Sequence, residues 1–466
     1  MPGTPAPARR SGLPSPLTIA DMVRVAERPD FRRWLTQMEA VGGCTHPIYL
    51  AGRSVTFDRA TGAVLHAYST RDEPGERLAV RCGNRRTAVC PTCARLHSGD
   101  TYHLVRAGLA GGKGITSAVA THPRLFVTLT APSFGRVHRA GGCHPYRSGT
   151  CDHGRPLGCG LEHEPTDPAC GQPVCPDCYD YAGHALWHAA AGRLWNRWCD
   201  RVRRGLARAA GVPVSRFPEA ARLSFAKVAE YQRRAAVHHH VVVRLDGPQG
   251  PADTPPAWAT TDVLTQAVED ATRAASVPLP YSPAVGDRTV RFGPQMDAHP
   301  IRTGIEDGAV TDDAVAAYIA KYTSKSAGAS GGADHRITTP GQIAAAAVTP
   351  HVRALMRACW RLGGLPEFAG LRLRAWIHTL GYRGHILTKS RAYSTTYGAL
   401  RAERAEHRKG SLAGDKAQVT AAEWRFVGSG LTLGEQWFAR SIRESRQNNR
   451  ESATAARNLS ENSYDP

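Results

Sequence analysis

Long apolar runs are missing from this chain: no stretch approaches the roughly 18 apolar residues that a membrane-spanning helix needs. The opening MPGTPAPARRSGLPSP has no apolar h-region, so no secretory signal is expected and the chain is read as a soluble cytoplasmic protein. Lysine is scarce, supplying only seven of the 59 basic residues. A phosphate loop is lacking too. Gly108-Leu-Ala-Gly-Gly-Lys113-Gly114 offers the lysine, but position 107 is not glycine and neither Ser nor Thr follows, which excludes a nucleotide-driven motor of that type. No internal repeat is visible.

The 466 residues suggest two to four compact units. With 42% apolar and 21% charged residues the composition is that of a folded protein. Lys plus Arg number 59 against 40 acids, a net charge of +19. Such an excess favours a polyanionic partner, because each neutralised phosphate releases counterions. Arginine richness also follows from a GC-rich genome, so the few lysines are the more informative bases.

Twelve cysteines in a cytoplasmic chain argue for metal before disulfides. Two knuckles, Cys90-Pro-Thr-Cys93 and Cys175-Pro-Asp-Cys178, each present two thiolates from a tight turn to one tetrahedral zinc. Cys82 with Cys44 or His46 can complete the first, and the expected set is Cys44, Cys82, Cys90 and Cys93. Candidates for the second are Cys143, Cys151, His153, Cys159, His163 and Cys170, with Cys151, Cys159, Cys175 and Cys178 as the expected set. Cys199 and Cys359 read as inert buried thiols.

Residues 1–17 are Pro/Ser-rich and expected to be disordered, and residues 18–120 carry a helix near Asp30–Ala40 and the first cysteine cluster. A central core is expected over 121–330, with a Gly/Pro-rich cysteine insertion at about 143–178. Within it Leu125–Thr130 reads as a buried strand, 180–210 as a long helix with Leu186, Trp187, Leu194, Trp195 and Trp198 on one face, and Ser224–Glu230 and Val237–Leu245 as paired strands. A helix starts at Thr311 or Asp312. Ser326–Ala333 reads as a flexible linker, 340–401 as a basic segment, and 402–466 as a charged, partly disordered tail.

Two patterns carry chemistry. In Val237-His238-His239-His240-Val241 the side chains alternate, so His238 and His240 share one face while His239 points to the other. Two imidazoles on a rigid strand are half of a divalent-metal site, and Glu230 or Gln232 on the preceding strand can add oxygen. Glu230 is the expected ligand, for Mg2+ or Mn2+. The second pattern is Tyr318-Ile-Ala-Lys321-Tyr322-Thr-Ser-Lys325. Tyr318 and Tyr322 project from one helix face, with Lys321 and Lys325 paired beside them, suited to stabilising a phenolate or holding a phosphate.

A Thr-Leu-Thr strand, a His-x-His strand and a Tyr/Lys helix, in that order, resemble the HUH single-strand endonucleases. Residues Ala229–His240 through Arg244-Leu-Asp-Gly247, Tyr179-Asp-Tyr181 with Leu186-Trp-His, Leu380-Gly-Tyr-Arg-Gly-His385 and Thr388-Lys-Ser-Arg391 resemble the rolling-circle replication initiators of actinobacterial plasmids and integrative elements. The likeness covers about residues 41 to 401. Two departures stand out. His239 lies where the residue between the ligand histidines is usually apolar, and Arg234-Ala235 where the turn tends to carry glycine.

The resemblance implies an α+β fold of HUH type, a central antiparallel sheet with flanking helices, plus a zinc-knuckle N-terminal segment and insertion. It implies a plasmid replication initiator that nicks one strand of origin DNA through Tyr318 or Tyr322, giving a 5′-phosphotyrosine and a 3′-hydroxyl primer. Lys321 and Lys325 would assist, His238, His240 and Glu230 would hold the divalent ion, and zinc would be structural. A host helicase and replication machinery would separate and copy the strands. A relaxase or transposase would use the same residues. A zinc-stabilised DNA-binding regulator without catalysis would explain the charge and cysteines alone.

Overall fold

The computed structural model describes residues 13–144, 149–302, 310–324, 332–333, 335–409 and 418–462. They form two units, one of Ser98–His407 and one of both chain ends, up to His97 and from Arg408.

The larger unit is built on five antiparallel strands: β1 (Arg124–Leu129), β2 (Arg222–Tyr231), β3 (Val237–Asp246), β4 (Met296–Pro300) and β5 (Leu387–Lys389). Their order is β4-β1-β3-β2-β5, so β3 is paired along both edges. Its valine run is apolar on both faces because both are covered. Val241, Val243 and Leu245 join one core, whereas Val242 joins the other with Ala226, Val228, Val315 and Ile319.

Five helices matter here: α1 (Pro91–Ala110, in this unit from residue 98), α2 (Tyr181–Ala209), α3 (Thr261–Ala274), α4 (Asp312–Thr323) and α5 (Pro350–Leu362). Asp180 caps α2 by accepting the Gly183 N–H at 2.8 Å. Leu186, Trp187, Leu194, Trp195, Trp198 and Val202 are buried along one stripe, and Arg193, Arg197, Arg201 and Arg204 are exposed on the other. The helices α2, α3 and α5 supply the first core, and α1 and α4 the second.

His239 falls on the α2 side of the sheet, fully buried near Trp187, Trp195, Phe292 and Tyr382. Neither of its ring nitrogens has a hydrogen-bond partner among the described residues. An imidazole left unsatisfied in this way costs about 1–3 kcal/mol.

The core does not stop at residue 330. Strand β5 and the helix Tyr397–Lys409 come from the segments expected to be a separate basic region and a tail, and Leu387–Lys389 pairs with Ala226–Val228. Residues 326–331 of the expected linker lie outside the described residues.

In the smaller unit the described part of the expected charged tail has regular structure. Strand Gln418–Ser429 pairs in antiparallel register with all of Ile48–Asp58, whose other edge pairs Val64–Ser69. Gln418–Ser429 is exposed along most of its length, so backbone pairing rather than burial holds it. The following helix, Leu433–Asn462, packs Phe438 against Phe31 and Trp34, at ring separations of 5.1 and 6.2 Å. At the other end a helix begins already at Pro16, capped by Ser15; residues 1–12 lie outside the described residues.

One buried histidine makes the larger unit sensitive to acid. His188 Nδ1 donates to the Leu380 carbonyl at 2.8 Å, and its Nε2 accepts the Val237 N–H at 3.0 Å, where β3 begins. That pattern requires a neutral ring, and burial depresses its pKa to about 4. As pH falls the unfolded chain takes up this proton first. The stability is complete above about pH 6.5 and is lost progressively toward pH 4. Urea unfolding at pH 5 should therefore show this site's contribution reduced by about 2 kcal/mol relative to pH 7.5. A His188→Gln chain should show a shallower pH slope, and an unchanged slope would remove this explanation.

Candidate active site and metal centres

Register fixes the first group of donors. His238 pairs with Glu230 and His240 with Val228 across β2 and β3, while Thr128 of β1 lies opposite His240. Glu230 Oε2, His238 Nε2 and His240 Nε2 are mutually 3.1 Å apart. This triangle suits three donors sharing one face of a small divalent ion about 2.1 Å away. The outer nitrogens are also oriented: His240 Nδ1 lies 3.2 Å from Thr128 Oγ1, and His238 Nδ1 3.5 Å from the Gln232 amide. Gln232, the alternative oxygen donor, is thus placed behind His238 rather than among the converging donors. Burial holds the His240 pKa below its usual value, which favours the neutral ring a metal needs, with Glu230 pulling the other way.

The turn between these strands is strained. Ala235 has φ of 60°, in the left-handed region that favours glycine. Arg234 pins it, donating to the carbonyls of Ala131 and Pro132 at 3.0 and 2.9 Å and to Gln232 Oε1 at 2.9 Å.

Helix α4 buries Val315, Ala316 and Ile319 against the sheet, which brings its tyrosines to the histidines. The Tyr318 hydroxyl lies 3.2 Å from His240 Nε2. Its ring meets Phe126 edge-on at 5.6 Å, and Phe126 stacks on His240 at 5.8 Å. Tyr322 is 4.6 Å from Tyr318 and 5.7 Å from His240, ring to ring. Burial, the Tyr322 hydroxyl and the charge of Glu230 push the Tyr318 phenol above its usual pKa. Lys321 is exposed, its ammonium 5.8 Å from the Tyr322 ring. Lys325 lies outside the described residues.

Cys44, Cys82, Cys90 and Cys93 converge as a second donor set. The Cys44 sulfur is 3.7 Å from those of Cys90 and Cys93. Tetrahedral zinc with Zn–S near 2.3 Å sets adjacent sulfurs about 3.8 Å apart, so the set fits that ion. Backbone N–H groups of Cys82 and Asn84 point at Cys44 and Cys82 sulfurs at 3.4 Å, as thiolates require. His46 is exposed and outside the group.

The knuckle at Cys175 and Cys178 gathers Cys151 and His153, not Cys159. A tight turn causes the difference: Cys151 N–H donates to Arg155 O and Gly154 N–H to Cys151 O, both at 2.8 Å, and the fold-back sets His153 Nδ1 3.3 Å from Cys178 Sγ. Cys159 instead lies 3.3 Å from His163 Nε2. Cys170 belongs to no such group among the described residues, and its thiol faces the Glu164 carbonyl. Cys199 and Cys359 are buried, and burial pushes both thiols up to about 12.

Comparison with known proteins now adds a family. Residues 30–444 match RepSA, described as "Replication initiator protein, pSAM2". A curated "Replication initiator protein" of Streptomyces ambofaciens is 43% identical over 456 residues, covering 95% of this chain and 96% of its own. The chain belongs to the RepSA family of replication initiators. No solved structure matches it.

Sequence reading missed what anchors the tyrosine helix in this RepSA protein. Buried Arg124 of β1 donates to Asp312, the first residue of α4, and to the Leu109 carbonyl, both at 2.6 Å. The only signal was an arginine opening an apolar strand. Removing one partner of a buried pair leaves an uncompensated charge. Arg124→Ala should cost about 3–5 kcal/mol in chemical unfolding, and Arg124→Met with Asp312→Leu clearly less. Equal losses would show that the pair does not fasten the helix.

Proposed function

We propose that this RepSA protein initiates rolling-circle replication of a plasmid or integrative element by nicking one strand at its origin. The observation that carries this reading is the Tyr318 hydroxyl 3.2 Å from His240 within a Glu230, His238, His240 donor set. A divalent ion held by those three, Mg2+ or Mn2+, would polarise the non-bridging oxygens of the scissile phosphate. Tyr318, nearer the donors, makes the first cut. Its oxygen attacks phosphorus in line, the P–O3′ bond breaks, the phenolic proton leaves to solvent and the departing oxygen takes one up as a 3′-hydroxyl. The ester keeps the energy of the phosphodiester, so rejoining needs no ATP. Tyr322 serves the second exchange, when the regenerated origin is cut. Lys321 and Lys325 hold phosphate beside the tyrosines.

The zinc sets Cys44, Cys82, Cys90, Cys93 and Cys151, His153, Cys175, Cys178 stiffen the N-terminal unit and the insertion. The DNA is single-stranded at the nick and is opened by a host helicase, in the cytoplasm.

Incubation with supercoiled plasmid carrying the cognate origin, followed by a denaturing gel, tests this. Wild type with Mn2+ should nick and remain on the 5′ end, and EDTA should abolish both. Tyr318→Phe should slow the first cut at least about a hundredfold, and the Tyr318→Phe, Tyr322→Phe chain should bind without forming any adduct. Tight binding by wild type with no adduct would point instead to a zinc-stabilised regulator.

A further inference from the structure

Cys159 and His163 do not stand alone. His138, Cys143, Cys159 and His163 turn one donor each toward a common point, all within 4.8 Å of one another. His138 Nδ1 is 3.1 Å from His163 Nε2 and 3.8 Å from Cys143 Sγ, and Cys159 Sγ is 3.3 Å from His163 Nε2. Tetrahedral zinc with Zn–N near 2.0 Å and Zn–S near 2.3 Å separates its donors by roughly 3.3–3.8 Å.

The surroundings are those of a ligand set. His163 and Cys143 are buried. The remaining nitrogen of His163, Nδ1, is 2.6 Å from Asp167 Oδ2, and that carboxylate is itself held by the Ala169 N–H at 2.7 Å. A carboxylate behind a histidine fixes the tautomer that leaves Nε2 free to bind metal. The short pairing of Gly141–Gly142 with Glu162–His163 brings the two halves of the set together.

We infer that these four residues bind a further structural zinc, and that the insertion is a two-metal module with interleaved ligands. Along the chain the donors run His138 and Cys143, then Cys151 and His153, then Cys159 and His163, then Cys175 and Cys178. The first and third pairs take one ion, the second and fourth the other. Each ion therefore closes a loop that contains half of the other site. This interleaving rests on the zinc reading of Cys151, His153, Cys175 and Cys178, whereas the new site does not. The module has little regular structure of its own, and two ions compensate for a core it lacks.

The module also touches the active-site scaffold. Gly171 lies so close to the Arg233 backbone, in the turn before His238, that a Cβ there would come within 2.5 Å of it. The metal-braced segment therefore backs the turn that presents the catalytic histidines.

Metal counting by native mass spectrometry on the full chain, after removal of loosely held divalent ions, tests the inference. Wild type should carry three zinc ions. Cys159→Ala should carry one fewer, Cys159→His should keep all three, and Cys170→Ala, a cysteine of the same insertion outside both sets, should also keep three. X-ray absorption at the zinc edge gives a second readout that needs no variant. With the new site the average environment contains nine sulfurs to three nitrogens, and without it seven to one. A Cys159→Ala chain with the wild-type count, or a wild-type spectrum at the seven-to-one ratio, would overturn the new site. Loss of zinc from Cys159→Ala but not from Cys175→Ala would retain it and overturn the interleaved partner.

Discussion

The two-residue period of a β-strand is the constraint on which this protein's chemistry rests. With both edges of β3 paired, its register against β1 and β2 cannot drift without breaking two ladders of backbone hydrogen bonds. That register sends His238 and His240 to the face where Glu230 and α4 wait, and buries His239 on the opposite side. A slip of one residue would exchange the two faces, putting a lone imidazole at the site and His238 and His240 in an aromatic core. The apolar residues after His240 are received by two separate cores, Val241, Val243 and Leu245 by one and Val242 by the other.

Helix α4 adds the second coordinate. Its depth along the sheet is set by Val315 and Ile319, and its start by the pairing of Asp312 with Arg124. Arg124 opens the strand that also carries Phe126 and Thr128, so one short strand anchors the tyrosine helix, packs against its first tyrosine and steadies His240. Such sharing explains how a site assembled from segments nearly 200 residues apart can hold distances near 3 Å.

Much of this was legible in the residues. Alternation alone placed His238 and His240 together, and the four-residue spacing put Tyr318 and Tyr322 on one face. The Cys44, Cys82, Cys90, Cys93 grouping was legible too, because each remaining thiol had few rivals nearby. The insertion was not. Eight potential donors within about forty residues allow many pairings, and the one adopted depends on the tight turn after Cys151, which carries no strong sequence signature. His138 escaped notice because it stands outside the knuckles. The paired strand at Gln418–Ser429 was hidden for a different reason. Its stability comes from backbone groups common to every residue, and the charged segments on either side of it gave the whole tail the look of an unstructured one.

That strand has a consequence for how the protein is made. Residues 48–58 leave the ribosome early, but the edge they require is not synthesised until residues 418–429. At ordinary elongation rates the interval lasts tens of seconds. Throughout it the early strand presents one open backbone edge to other chains, while the thiols of Cys44, Cys82, Cys90 and Cys93 have already been made. The central unit is complete by residue 407 and can close first. Birth order and folding order therefore differ in this molecule: residues 48–58 find one of their two partner strands only near the end of synthesis, and a stop between residues 408 and 417 leaves the larger unit whole and the smaller one without that strand.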